Sequence, residues 1–230
     1  MPVLLFDLDG TLVDSARGIA AALNRLRGQR GGEPLPVEAV RPLVALGAEV
    51  LVRQGLGPLA SKVRDDLAAF RRHLAAEPAD HAAIYPGVPA ALDRLAGEGW
   101  RMAIVTNKPE AIARALLGDL GLSRHFGVVV GGDTTAPKPS PTPLRHALRL
   151  LGADAGSTLF VGDSRIDAEA ARACAMPFLL FDGGYGAADC AARDIAGRFD
   201  RFADLPDLVA LNSSPCRAAV RYAPARRARG

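Results

Sequence analysis

Five short runs of apolar residues punctuate the chain, at residues 3–6, 102–105, 128–130, 158–161 and 178–181. Each is nearly continuous in apolar character rather than alternating, the pattern of strands buried on both faces. Between the later runs, apolar positions recur at three- and four-residue spacing: Leu92 and Leu95; Ile112, Leu116 and Leu117; Leu144, Leu148 and Leu151. That spacing predicts amphipathic helices. Strands alternating with helices predict βαβ units, a parallel sheet and right-handed crossovers.

The gap between the first and second runs is too long for one crossover. Residues 15–81 are rich in Ala, Leu and Arg and hold no strand-like run. Ile19, Leu23 and Leu26 fit one helical face, Leu43, Leu46 and Val50 a second, and Leu67, Phe70 and Leu74 a third. Gly31-Gly32 with Pro34 and Pro36, then Gly55, Gly57 and Pro58, punctuate the breaks. A helical subdomain over 15–81 is therefore expected as an insertion in an α/β core made of 1–14 and 82–211. The return passes through a turn at Tyr85-Pro86-Gly87.

Composition adds constraints. The 230 residues are 49% hydrophobic and 23% charged, ordinary for a globular protein, which excludes wholesale disorder. No apolar run approaches the roughly 20 residues of a membrane-spanning helix. No basic segment precedes a long apolar one near the N-terminus, so a cytoplasmic protein is expected. Cys174, Cys190 and Cys216 are widely spaced, which argues for plain thiols rather than disulfides or a zinc knuckle. Basic residues (28) exceed acidic ones (25), but Arg217, Arg221, Arg226, Arg227 and Arg229 lie in the last stretch with no acid among them. Without those five arginines, 23 basic residues face 25 acidic ones. The body of the protein thus carries no electrostatic case for nucleic acid, and residues 212–230 are expected to form a solvated, disordered basic tail.

In open parallel sheets, ligands bind beyond the carboxyl ends of the strands. Those ends bring Asp7 and Asp9, then Thr106 and Asn107, then Gly131-Gly132-Asp133 followed by Lys138, then Asp163 and Asp167. Asp7 and Asp9 are two apart and on an extended chain point the same way. Adjacent carboxylates repel unless they share a cation or proton, which points to a hard divalent ion, magnesium before zinc. Alone, such a pair also suits a turn or a cap. Asp163 and Asp167 share a face if a helix starts there, as metal ligands or as ordinary capping acids. Thr106 and Asn107 sit where a strand hands over to a helix, able to cap it or to hold an anion. Lysine occurs only at Lys62, Lys108 and Lys138, so Lys138 between prolines hints at a point charge that geometry requires.

Together these segments resemble the haloacid-dehalogenase superfamily of phosphohydrolases, and within it the phosphoglycolate phosphatases. The residues that carry the resemblance are the run from Asp7-Leu8-Asp9-Gly10-Thr11 to Ser15, Thr106-Asn107-Lys108-Pro109, Lys138-Pro139-Ser140-Pro141 and Val161-Gly162-Asp163-Ser164-Arg165-Ile166-Asp167. The resemblance implies a Rossmann-like core sheet of five parallel strands, the first in the middle, under an inserted α-helical cap. It implies Asp7 as nucleophile, forming an aspartyl-phosphate, and Asp9 as general acid and base. Thr106, the backbone N–H of Asn107 and Lys138 would hold the phosphoryl oxygens. Mg²⁺ would sit on the Asp7 carboxylate, the Asp9 backbone carbonyl and Asp163, with Asp167 completing or orienting the shell.

The second aspartate sets the chain apart from dehalogenases. The absence of a lysine between Ser15 and Lys62 sets it apart from relatives that cleave phosphonates through a Schiff base. In the cap, Ala45-Leu46-Gly47-Ala48 stands where the family loop usually reads Gly-x-Gly. Arg41 and Arg53 are candidate readers of a substrate carboxylate, though solvated surface explains them as well. Tyr185, in Gly183-Gly184-Tyr185-Gly186, is expected to be structural. His73, His81, His125 and His146 receive no role. The expected reaction is magnesium-dependent hydrolysis of a small phosphomonoester, 2-phosphoglycolate first. A sugar phosphate or biosynthetic intermediate, pyrophosphate, a mutase reaction and a non-catalytic binding relative are the alternatives. The expected partner is a small phosphorylated metabolite, with no nucleic acid and no membrane, for a monomer or homodimer.

Overall fold

The computed structural model describes residues 2–213. Five strands follow the apolar runs: β1 (Val3–Phe6), β2 (Arg101–Val105), β3 (Phe126–Val130), β4 (Thr158–Gly162) and β5 (Phe178–Phe181). They form one parallel sheet in the order β3-β2-β1-β4-β5, with β1 between β2 and β4. A sixth strand, β6 (Gly197–Phe199), extends the edge beside β5 in the same direction. The five-strand expectation is corrected here. The three residues of β6 carry no apolar run, because only Phe199 is buried and Arg198 at the centre is exposed.

Period-two alternation within each strand builds two cores. Leu4, Phe6, Met102, Ile104, Leu159, Val161, Leu179 and Phe181 face one layer, while Val3, Leu5, Ala103, Val105, Phe160, Phe178 and Leu180 face the other. The first layer is closed by α5 (Val88–Gly97), α6 (Glu110–Asp119) and α9 (Leu205–Ser213), through Leu92, Leu95, Leu117 and Val209. The second is closed by α7 (Thr142–Leu151) and α8 (Arg165–Ala173), through Leu144, Leu148, Ala168 and Ala171.

The long insertion is helical: α1 (Ala16–Gly28), α2 (Val37–Val44), α3 (Ala48–Leu56) and α4 (Val63–Ala75). Its own apolar cluster joins Ile19, Leu23, Leu26, Val40, Leu51, Val52, Leu56 and Phe70. The single helical face read through Leu43, Leu46 and Val50 is split between α2 and α3. Gly47, at φ +90°, breaks the helix, and Leu46 at the break is 41% exposed. Two chain crossings tie this bundle to the sheet. Asp14 N–H donates to the Ala83 carbonyl (2.7 Å), Tyr85 N–H donates to the Leu12 carbonyl (3.1 Å), and Val13 bridges Ile84 in antiparallel fashion. The turn at Tyr85-Pro86-Gly87 is present, closed by Val88 N–H on the Tyr85 carbonyl (3.1 Å).

Among the described residues, no helix is long and apolar enough to cross a membrane. Cys174 and Cys190 are free thiols, both pushed up in pKa by burial, Cys190 to about 12. Asn212 and Ser213, placed in the tail by sequence, continue α9. The rest of the tail and Cys216 lie outside the described residues.

Candidate active site

The chain leaving β1 folds back on itself at once. The N–H groups of Thr11, Leu12 and Val13 all donate to the Leu8 carbonyl, and Gly10 N–H donates to Val13. This tight turn holds Asp7 at the strand end and brings Asp9 beside the first crossing. Gly10 is required at φ +84°, and a Cβ there would lie 2.5 Å from Asp163 Oδ2.

Three carboxylates meet at the sheet edge. One oxygen each of Asp7, Asp163 and Asp167 lies within 4.8 Å of the others, all buried. Lys138, from the loop between β3 and α7, reaches into them, its Nζ 2.8 Å from Asp7 Oδ1 and 2.7 Å from Asp167 Oδ1. Three carboxylates against one ammonium leave an excess of buried negative charge. Desolvation accordingly pushes Asp7 up to about 7 despite Lys138, and pushes Asp163 well above the ordinary carboxylate range. A buried, oxygen-only, net-anionic cluster fits a hard divalent cation such as Mg²⁺.

The surroundings fix each member. Asp163 accepts from Thr11 Oγ1 (2.9 Å) and from Tyr185 N–H (2.7 Å). Gly184 permits the latter approach, since a Cβ there would stand 2.2 Å from Asp163 Cβ. Asp167 accepts from Ser164 Oγ (2.5 Å) and Ser164 N–H (3.1 Å), closing a capping box on α8. The shared helical face expected for Asp163 and Asp167 is therefore corrected: Asp163 precedes the N-cap, and the loop rather than helical periodicity brings their oxygens together.

Asp9 stands apart from the acid cluster. Both its carboxylate oxygens accept from Lys108 Nζ (2.7 and 2.8 Å), and Oδ1 also accepts from Ser15 Oγ (2.5 Å). Asp7 and Asp9 line the same cleft, but Lys108 and Ser15 hold the Asp9 carboxylate and it is not one of the three clustered acids.

Thr106 is buried at the end of β2, its N–H on the Val130 carbonyl (3.0 Å) and its Oγ1 accepting Lys108 N–H (3.2 Å). Neither Thr106 nor Asn107 caps α6: Pro109 is the N-cap residue, and Glu110 N–H donates to Asp133 Oδ1 (2.8 Å). The Asn107 side chain instead clamps the Lys138 backbone. Its Nδ2 donates to the Lys138 carbonyl (3.0 Å), and its Oδ1 accepts Lys138 N–H (2.9 Å).

Asp7, Asp9, Thr106, Asn107, Lys138 and Asp163 line one cleft, roofed by Ile19, Leu51, Phe70 and Leu74 of the helical bundle. Asp167 lies just behind it, fully buried. Ala45, Gly47 and Ala48 also line the cleft, whereas Leu46 points elsewhere. Arg41 is corrected as a carboxylate reader for substrate. It is committed to Asp14, with Nη1 donating at 2.9 and 3.0 Å, and it lies over the Tyr185 ring. Arg53 is exposed and outside the cleft. Tyr185 ties the latch together, donating from its hydroxyl to Asp14 Oδ1 (2.8 Å) and accepting Ala16 N–H (3.0 Å).

Lys108, Ser15 and Thr11 contact the site's acids, and Arg71 lines the cleft, although no spacing in the sequence marks these contacts. A buried lysine two residues after Thr106 was legible only as one of three lysines in the chain. Arg71 was legible as a cation beside the apolar positions Leu67, Phe70 and Leu74 of a helix.

Residues 4–181 match the family described as haloacid dehalogenase-like hydrolase. The chain belongs to that family. It is 39% identical over 215 residues to a phosphoglycolate phosphatase of Cereibacter sphaeroides, covering 91% of this chain and 98% of the relative. It is 41% identical over 214 residues to a phosphoglycolate phosphatase of Rhodospirillum rubrum, covering 89% of each. Among solved structures it is similar to one described as a predicted phosphoglycolate phosphatase from Haemophilus somnus 129pt, with TM-score 0.79 and 26% identity over 90% of this chain and 97% of that one. Family membership and these whole-length matches bear out the sequence reading of a phosphatase of the haloacid dehalogenase type.

Proposed function

We propose that this chain hydrolyses a small phosphomonoester, 2-phosphoglycolate foremost, through a phospho-aspartate on Asp7. The observation that carries this reading is the meeting of Asp7, Asp9, Thr106, Lys138 and Asp163 in one cleft at the carboxyl edge of the sheet. The relatives named as phosphoglycolate phosphatases support 2-phosphoglycolate as the leading substrate.

Asp7 attacks phosphorus with a carboxylate oxygen, and the bond to the leaving alkoxide breaks. Lys138, Thr106 and the Asn107 N–H hold the equatorial oxygens in line, which is most of what phosphoryl transfer asks of a protein. Asp167 and the Asn107 side chain hold Lys138 from opposite ends. Asp9 gives its proton to the leaving alkoxide, and in the second half takes one from the water that attacks the phospho-aspartate. Both Asp9 oxygens face Lys108 here, so donation requires the Asp9 side chain to swing off that ammonium. Mg²⁺ held by Asp7 and Asp163, with the Asp9 carbonyl, and oriented by Asp167 would neutralise the phosphoryl charge and keep Asp7 ionised. Residues 15–81 act as a cap over a core of 1–14 and 82–211, excluding water and contacting the leaving group.

The test is phosphate release by purified protein over 2-phosphoglycolate, sugar phosphates, nucleotides and pyrophosphate, with magnesium and with chelator. Magnesium-dependent release favouring 2-phosphoglycolate is expected. Release from other esters alone keeps the chemistry and overturns the substrate, and no release from any ester overturns both.

A further inference from the structure

Among the described residues, Arg71 is the one cation lining the cleft that is not already matched. Lys138 faces Asp7 and Asp167, and Lys108 faces Asp9. Arg71, from α4, has no carboxylate within ion-pair distance among the described residues, and its Nε is buried without a hydrogen-bond partner. Its neighbours on the roof are Phe70, Leu74, Ile19 and Leu51. Arg71 is half-buried, and a buried donor without a partner is costly unless an acceptor arrives to meet it. The guanidinium cannot shed its charge, and its fork geometry matches a carboxylate through two parallel hydrogen bonds.

We propose that Arg71 is the specificity-determining residue of the cap and reads a carboxylate on the leaving group of the phosphoester. The inference rests on the phosphoglycolate reading and adds the residue that enforces it. The phosphoryl group is gripped from the sheet edge by Lys138 and Thr106, while the far end of the substrate is gripped from α4. The remaining roof is apolar and offers a neutral leaving group no comparable partner. Selection thus follows from an otherwise unpaired charge that only an acidic substrate satisfies.

The experiment compares 2-phosphoglycolate with ethyl phosphate, of similar size but lacking the acid, for wild type, Arg71→Met and Arg71→Lys under magnesium. Met keeps the apolar stem of the side chain. The expected result is a loss on the order of 10²-fold in kcat/KM for 2-phosphoglycolate in Arg71→Met, carried mainly by KM, with ethyl phosphate unchanged. Arg71→Lys falls between. Equal losses on the two esters, or none on either, overturn the proposal while leaving the substrate reading intact. If Arg71→Met fails to fold, Arg71→Lys decides by the same split: a raised KM confined to 2-phosphoglycolate supports the proposal, and equal change on both esters overturns it. A wild type that does not prefer 2-phosphoglycolate to ethyl phosphate overturns both the proposal and the substrate reading, and is seen before any variant is made.

Discussion

The sheet edge and the helical roof face the same cleft but are built on opposite terms. At the sheet edge most polar side chains are held by hydrogen bonds or ion pairs from their neighbours. Thr11 and the Tyr185 N–H hold Asp163, Ser164 and Lys138 hold Asp167, and Asn107 holds the Lys138 backbone. The roof is apolar apart from Arg71, and its loop between α2 and α3 presents Ala45 and Gly47. A rigid polar constellation suits chemistry that is the same for every phosphomonoester, since preorganisation is what stabilises a phosphoryl transition state. A separate small core, joined to the sheet by two crossings and one latch, suits a surface that closes on a variable leaving group.

The sharpest way to break this comparison is at the nucleophile. Asp7→Asn removes the attacking oxygen and one of three crowded carboxylates, so turnover should fall by at least about 10³-fold while the fold persists. Phosphate release and a thermal melt check both halves. An inactive protein whose melting temperature also collapses would mean that the acid cluster is structural.

The next largest effect belongs to Lys138. Lys138→Met removes the ammonium that faces both Asp7 and Asp167, leaves Asp167 without its cation and pushes Asp7 further toward its protonated form, a loss of about 3–5 kcal/mol in stability. Denaturant unfolding measures it, and added magnesium should recover part of the loss by binding the folded state.

In the roof the expected consequence is local. Leu23 is fully buried among Ile19, Leu26, Leu56 and their neighbours. Leu23→Ala should cost about 2–5 kcal/mol. Hydrogen exchange should quicken in α1–α4 and leave the sheet protected. Equal quickening throughout would show one cooperative unit and contradict the division into cap and core.

A smaller effect comes from Asp66 at the start of α4. Its carboxylate accepts from Arg30 Nη2 (2.6 Å), Ser61 N–H (2.7 Å) and Ser61 Oγ (2.8 Å). The Arg30 hydrogen bond, helped by those from Ser61, holds its pKa below the ordinary value against desolvation. A depressed folded-state pKa gives stability that is present above the unfolded value near 4 and lost as pH falls through the folded one. The bundle should therefore loosen in acid below about pH 4. Asp66→Asn should lower stability at neutral pH and flatten this part of the dependence, read by melts from pH 3 to 7.

How much of this was legible in sequence follows the same division. The first five strands and Asp7, Thr106 and Asp163 were legible because each motif is a contiguous run following an apolar strand, and Lys138 because lysine is scarce in the chain, whereas β6 has no apolar run to show it. The contacts of Asp9 and Asp167 were not, because spacing says where a carboxylate attaches and not which neighbour turns it. Lys108 captures the first and the capping box of α8 the second. In the roof, helices were legible from periodicity, but the break at Gly47 was hidden under a run of apolar residues that fits one face. Arg41 and Arg71 illustrate the rest. Both are arginines on amphipathic helices, and only the fold shows that Asp14 engages the first while the second lines the cleft with no ion-pair partner among the described residues.

The central claim is that Asp7 carries the phosphoryl group, and trapping it is the most direct test. In an Asp9→Asn background, p-nitrophenyl phosphate has a leaving group that needs no proton, while the second half-reaction lacks its base. The account predicts a burst of one equivalent of p-nitrophenolate and, by mass spectrometry of the quenched protein, a phosphoryl adduct on the peptide that contains Asp7. A wild type that turns over p-nitrophenyl phosphate, beside an Asp9→Asn protein with neither burst nor adduct, or with the adduct on another residue, would contradict it.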